Sequence, residues 1–147
     1  MTSQPMDRPD LTTEDYPLAE KRPELVRSAS GKELSALSLE ALEAGQVTMA
    51  DLRITATALQ QQAAIARAAN RATLAQNFAR AAELVDIPQD VLLQVYELLR
   101  PGRAKDKSSL MQAAEMLRHD YKATLMADFV AEAAAVYERR GLFARRF

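Results

Sequence analysis

The sequence contains no cysteine and no tryptophan, and it has a single histidine. The absence of cysteine excludes disulfides, thiolate nucleophiles, iron–sulfur clusters and thiolate zinc sites. His119 follows Glu115 by four residues, a spacing that brings both side chains to one side of a helix. Because a catalytic zinc site usually has three protein ligands, we interpret this pair as part of an exposed helix surface rather than as a metal site.

Glycine is also scarce, with four residues in a chain of 147, and none of them lies in a phosphate-binding G-x-x-x-x-G-K loop. No G-x-S-x-G segment presents a serine nucleophile. Carboxylate pairs do occur, such as Asp10 with Glu14 and Asp128 with Glu132, but such pairs are common on helical surfaces. Nothing in the pattern predicts the enclosed cleft that acid–base catalysis needs. We therefore predict no catalytic, cofactor-binding or metal-binding residue in this chain.

The sequence has no excess of charge of one sign and no long apolar run. The formal net charge of −1 provides no general electrostatic basis for binding nucleic acid or an anionic membrane. No stretch approaches the roughly 20 apolar residues of a membrane span, and the polar segment 1–14 has no apolar signal region. We expect a cytoplasmic protein.

The C-terminal segment is locally basic and aromatic. Its arginines and phenylalanines are Arg139, Arg140, Arg145, Arg146, Phe143 and Phe147. Such a segment can bind an anionic surface, or it can dock on an acidic partner protein. We favour the protein partner, since no wider basic surface accompanies it.

Apolar residues make up 48% of the chain, but many of them are alanine, and only four Phe and four Tyr are present. Alanine buries little area, so a core built from it is thin, and apolar burial is the main favourable term in folding. We infer that part of the apolar surface is shared with another chain.

Four prolines break residues 1–30, which predicts an extended, irregular N-terminal arm followed by a helical domain over residues 31–147. The apolar residues from Tyr16 to Ala19 suggest that this arm lies on a surface. A disordered tail is the alternative.

Apolar spacing beyond the arm predicts helices and no strand. We expect them at Ser38–Ala44, Thr48–Ile54, Thr55–Val85, Pro88–Arg100 and Ser108–Arg140. The predicted N-caps are Ser38, Thr55 or Thr57, and Ser108, the spacing of Thr48 and Asp51 is that of a capping box, and the predicted stop is Gly141. Asn and Thr are weak helix formers, so a kink is expected at Asn70–Thr73. At a rise of ~1.5 Å per residue the last helix approaches about 50 Å, which favours projection against a partner. The predicted fold is all-α, an open bundle of about three unequal helices with the extended arm.

Several segments, in order, carry a more specific pattern. They are Asp15–Ala19, Leu39-Glu40, Gly45, Asp51–Ile54, Leu59, Gln62-Ala63, Ile65-Ala66, Asn77–Leu84, Ile87–Asp90, Tyr96–Pro101, Phe129–Ala134 and Val136-Tyr137. Together they resemble the small (gamma) subunit of adenosylcobalamin-dependent diol and glycerol dehydratases. The loop Gly102–Ser109 and the ending Phe143–Phe147 depart from that family, outside the most characteristic segments.

The resemblance implies a dimer of heterotrimers with two copies each of a large, a medium and a small subunit. In that family the large subunit is a barrel that holds substrate and a metal ion, and adenosylcobalamin lies between the large and medium subunits. An adenosyl radical then drives loss of water from propane-1,2-diol or glycerol to give an aldehyde. The small subunit contributes no catalytic residue, so a structural role is implied for this chain, and on its own it should be unstable or aggregate.

Subunit contacts are predicted from the aromatic and arginine residues that are enriched at interface hot spots, together with their neighbours in the characteristic segments. The predicted interface residues are Tyr16, Pro17, Leu18, Asp51, Arg53, Arg80, Arg100, Phe129 and Tyr137. Pairing of Arg53 and Arg80 within the chain remains an alternative. A helical adaptor or regulatory subunit of an unrelated complex is the competing function. The sequence does not decide between the two substrates, and the short leader before Asp15 favours free cytoplasm over a bacterial microcompartment.

Overall fold

The structure is a computed structural model that describes residues 10–144. All regular secondary structure in this range is helical, apart from one isolated β-bridge between Arg27 and Glu33. The α-helices are α1 Leu18–Lys21, α2 Leu39–Glu43, α3 Met49–Leu52, α4 Ala56–Ala68, α5 Ala72–Leu84, α6 Gln89–Leu99, α7 Lys107–Asp120 and α8 Thr124–Arg140. Single 3-10 turns occupy Thr13–Asp15, Pro23–Leu25 and Leu34–Ala36. The all-α class is therefore confirmed.

The predicted count of about three helices is wrong, because two helices expected to be continuous are each divided. The expected helix over Thr55–Val85 is interrupted at Asn70, whose φ of 60° lies in the left-handed region. This interruption falls where weak helix formers predicted a kink, and it separates α4 from α5. Asn tolerates that conformation better than most residues, since its short polar side chain can bond locally.

The expected 50 Å helix over Ser108–Arg140 is also wrong. It ends at Asp120 and a new helix begins at Thr124, with Lys122 between them at a φ of 55°. α7 and α8 then pack against each other along their lengths as an antiparallel hairpin. No single long helix projects from the chain over these described residues, so helix length gives no reason to expect a partner.

Several helix boundaries follow local capping rules. The Ser38 side chain accepts a backbone N–H at the start of α2, as predicted, and Thr55, one of the two predicted candidates, does so at the start of α4. Gly141, at a φ of 64°, ends α8 in the left-handed conformation, also as predicted. Asp106 instead of Ser108 caps α7, where its carboxylate accepts the Ser109 N–H at 2.9 Å.

The chain forms two compact units, Met1–Ala79 and Arg80–Phe147. The second unit has one continuous apolar core, in which Leu110, Leu117 and Val130 are completely buried. Alanines fill much of the remaining core, as at Ala123 and Ala127. In the first unit the buried apolar residues are Leu18, Val47, Ala63, Ile65, Ala66 and Ala75. The predicted division of the chain at residue 30 stays a prediction.

Candidate subunit interface

The first unit carries a groove of about 910 Å³ between the segment 11–29 and the start of α4. Leu18, at the beginning of α1, is buried and anchors the segment, whereas Tyr16 and Pro17 beside it are exposed. The Gln61 side chain on α4 donates to the Leu25 carbonyl at 3.4 Å. Arg22 binds Asp15 at 3.2 Å and Glu24 at 2.6 Å, and the latter bond holds the pKa of Glu24 below its ordinary value. The buried Leu18 and the Gln61 bond hold this segment of the arm against its own unit, and the Arg22 pairs lie within the segment.

Asp51 lies at the centre of a polar cluster in the same unit, and only 5% of the residue is exposed. Its carboxylate accepts hydrogen bonds from the Ser28 hydroxyl at 3.0 Å, the Ser30 hydroxyl, and the Thr48 N–H at 3.1 Å. The Lys32 ammonium adds an ion pair at 3.0 Å. The bond from Ser30, followed by those from Thr48 and Lys32, holds the pKa of Asp51 well below its usual range, although burial opposes the shift.

The Asp51 cluster joins two segments that lie far apart along the chain. The Thr48–Asp51 capping-box spacing was visible in the sequence, and the Asp51 carboxylate does accept the Thr48 N–H. Its other partners lie 19 to 23 residues earlier in the chain, beyond the reach of any local pattern. The structure thus assigns this carboxylate an intramolecular role, and a direct contact between Asp51 and a partner remains a prediction.

Helix α3, which carries Asp51, and the preceding helix α2 expose large apolar side chains. Within Leu39–Ile54 these are Leu39, Leu42, Met49, Leu52 and Ile54. We call these five residues the α2–α3 patch. Arg53, which lies within the same segment, is also exposed. The sequence reasoning selected Arg53 but missed the apolar residues around it, because short helices give too few turns to show which side is buried.

In the second unit, the Arg80 guanidinium lies over the Phe129 ring, 4.8 Å from its centroid. This is a cation–π contact between α5 and α8, and Phe129 remains 40% exposed. Glu83, one turn further along α5, accepts the backbone N–H groups of Leu125 and Met126, each at 2.9 Å. Arg80 therefore makes a contact within the chain, which was the stated alternative to a purely intersubunit role.

The remaining predicted residues are Arg100, directly after α6, and Tyr137 on α8. Arg100 is exposed and binds Glu97 at 3.1 Å, in a surface pair of the kind that contributes little to stability. Tyr137 is half-buried, its hydroxyl donates to the Leu99 carbonyl, and its ring meets Phe143 edge-on at 6.2 Å. The arginines at positions 145 and 146 and the final phenylalanine lie outside the described residues.

His119 is exposed on α7, and its Nε2 lies 2.8 Å from a Glu115 carboxylate oxygen. This geometry agrees with the predicted surface pair. Over residues 10–144, the acidic and histidine side chains form no group of three that could hold a metal ion. In the same range no helix is both long enough and apolar enough to cross a bilayer.

Comparison with known proteins identifies the family. A family model described as dehydratase small subunit matches residues 11–144. The propanediol dehydratase small subunit of Citrobacter freundii is 48% identical over 126 residues, which covers 86% of this chain and 73% of the relative. The protein of the same name from Salmonella typhimurium strain LT2 is 46% identical over 126 residues, covering 86% of this chain and 72% of the relative. This chain therefore belongs to the dehydratase small-subunit family.

Proposed function

We propose that this chain is the small structural subunit of a coenzyme B12-dependent diol dehydratase, which converts propane-1,2-diol or glycerol to an aldehyde plus water by a radical mechanism. The observation that carries the proposal is the 48% identity to a propanediol dehydratase small subunit over 86% of the chain. A small subunit belongs with larger subunits in a dehydratase complex, so this chain is part of a lyase. The resemblance supports a dimer of heterotrimers, located in the cytoplasm either free or enclosed in a microcompartment.

In this proposal adenosylcobalamin is bound by the large and medium subunits. On this chain the one imidazole, His119, is exposed and pairs with Glu115. No acidic cluster within residues 10–144 offers a metal site in its place. In this proposal, as the family resemblance implies, no residue of this chain takes part in a step of the reaction.

We further propose that the exposed members of the predicted interface contact the larger subunits directly. The exposure of Tyr16, Pro17 and Arg53 supports this role in the first unit. In the second unit the half-open Arg80–Phe129 stack supports it, since aromatic and Arg side chains are the usual interface hot spots. Leu18, Asp51 and Tyr137 are buried or half-buried, so their proposed contribution is to hold the contacting segments in place.

Co-expression tests the proposal. Tagged large and medium dehydratase subunits are purified with and without this chain, and adenosylcobalamin-dependent aldehyde formation is measured with propane-1,2-diol and with glycerol. We expect the chain to co-purify and to raise the activity of the larger subunits. Failure to co-purify would favour the alternative, an adaptor subunit of an unrelated complex. Full activity without the chain would contradict the structural role.

A further inference from the structure

Helix α3 buries its charged side chain and exposes apolar ones, which is the reverse of a normal surface helix. Its carboxylate, on Asp51, is turned inward, whereas Met49 is 73% exposed and Leu52 is 53% exposed. A surface helix of a protein that acts alone buries its apolar side and exposes its charges. On a helix, residues three apart lie on the same side, so Met49 and Leu52 form one outward-facing apolar pair.

The same arrangement continues on α2 and after α3. Leu39 and Leu42 are also three residues apart and are both exposed on α2, and Ile54 follows α3 as a fifth exposed apolar residue. The turn between the helices is held by the N–H groups of Gln46 and Val47, which both donate to the Ala41 carbonyl. Over residues 10–144, no other stretch of comparable length exposes as many large apolar side chains. A short segment that exposes this many large apolar side chains is a candidate interaction surface.

The Asp51 cluster sets the direction in which the patch faces. Three side chains from the segment Ser28–Lys32 bond the carboxylate and hold it inside the unit. With Asp51 held there, the rotation of about 100° per residue places Met49 on the opposite side of the helix and turns Leu52 away from the buried side. Asp51 is therefore a positioning residue for the patch.

The family to which this chain belongs indicates which protein binds the patch. The family is one of small subunits, so a larger subunit is present wherever this chain works. The patch has a charged rim, with Glu40 and Glu43 exposed on α2 and Arg53 exposed after α3. A matching surface is apolar at its centre, basic opposite α2 and acidic opposite Arg53.

We propose that the α2–α3 patch, oriented by the Asp51 cluster, is the surface on which a larger dehydratase subunit docks. This inference rests on the proposed function and adds the contact surface to it. Leu39, Leu42, Met49, Leu52 and Ile54 form the centre of that contact, and Glu40, Glu43 and Arg53 form its rim.

The test replaces Met49 and Leu52 together by serine in the co-expressed complex. A matched control replaces Leu93 and Tyr96 by serine, since these two side chains are also three residues apart on one helix and are 57% and 63% exposed. The affinity of each variant for the tagged larger subunits is measured by competition with wild-type chain. Far-UV circular dichroism of each isolated variant checks that the helices are retained.

We expect the Met49→Ser, Leu52→Ser variant to lose at least tenfold in affinity with unchanged helicity, and the α6 control to stay within about threefold of wild type. Equal losses in both variants, or wild-type affinity in the α3 variant, would overturn the inference. It is also overturned if the isolated chain forms dimers that the α3 variant abolishes while the complex persists, because the patch would then join two copies of this chain. If wild-type chain does not bind the larger subunits at all, the proposed function itself fails.

Discussion

At the scale of single residues, Asp51 shows how a buried charge is accommodated. An unpaired buried carboxylate would be expensive, but this one receives hydrogen bonds from Ser28, Ser30 and Thr48 and an ion pair from Lys32. Each donor favours the charged form, which is why the pKa falls despite burial. The folded state therefore binds fewer protons than the unfolded chain when the pH is near the ordinary Asp value of 3.8.

This difference predicts a pH dependence of stability. The contribution of Asp51 is present above its unfolded pKa and is lost as the pH falls towards its lower folded pKa. We expect the melting temperature of the wild type to fall between about pH 5 and pH 2 more steeply than that of Asp51→Asn. At pH 7 the variant should melt several degrees lower, because an amide cannot satisfy all of the donors.

Thermal unfolding followed by circular dichroism measures both effects. The exposed Asp86 supplies the control, since Asp86→Asn changes a carboxylate on the surface and should leave the melting temperature at pH 7 close to that of the wild type. Parallel pH profiles for the wild type and Asp51→Asn would contradict the assignment of a depressed pKa to Asp51.

At the scale of elements, the fold-back between α7 and α8 is decided by burial. A non-glycine residue at positive φ, such as Lys122, costs about 1–2 kcal/mol. The hairpin completely buries Leu110, Leu117 and Val130, and each such side chain contributes roughly 1.5–3 kcal/mol. The gain exceeds the cost, so the helix breaks although the segment contains neither proline nor glycine.

Lys122 provides a direct test of this conformation. Lys122→Val should lower the free energy of unfolding by about 1–2 kcal/mol, since a β-branched side chain resists positive φ. Lys105→Val, at an exposed loop position without positive φ, is the control and should change it by less than about 0.5 kcal/mol. Urea denaturation measures both values, and equal values for the two variants would argue for a continuous helix.

The start of α8 depends on a side chain from another helix. Its N-cap residue is Ala123, which offers no side-chain acceptor, and the two Glu83 carboxylate oxygens instead accept the N–H groups of Leu125 and Met126. A negative charge at this end also complements the helix dipole.

Removing this cap should therefore destabilise the second unit. We expect Glu83→Ala to lower the free energy of unfolding by about 1 kcal/mol, the typical value of an N-cap. Glu132→Ala, on the exposed side of α8, should have less than half that effect. Urea denaturation again measures the difference, and equal values for the two variants would show that the Glu83 contacts do not cap the helix.

At the scale of the whole molecule, the chain comprises two compact units and leaves many large apolar side chains exposed in its described part. Helix length is no longer a reason to expect a partner, because the long helix is a hairpin. The reason to expect a partner is instead the set of exposed apolar residues, mainly those of the α2–α3 patch.

These exposed surfaces predict the behaviour of the chain by itself. We expect the isolated chain to stay folded at low concentration but to bind a hydrophobic dye such as ANS, to aggregate when it is concentrated, and to melt at a higher temperature after the larger subunits are added. Differential scanning fluorimetry and light scattering measure these properties. A stable, dye-silent monomer with a sharp transition that does not shift on addition of the larger subunits would contradict this.

The sequence by itself determined the properties that depend on near neighbours or on the order of residues along the whole chain. The helical class, the caps at Ser38 and Thr55, the stop at Gly141 and the family resemblance are of this kind. Capping and helix propensity act within a few residues, so they can be read from the sequence. The order of the characteristic segments likewise needed no coordinates.

Only the tertiary structure decided which distant groups meet. The partners of Asp51 lie 19 to 23 residues away, and the Glu83 cap reaches about forty residues along the chain. The break at Lys122 follows from the burial of α7 against α8, for which the local sequence has no signal. Contacts at such separations depend on how the whole chain packs, and that packing turns Asp51 inward and leaves Met49 and Leu52 exposed.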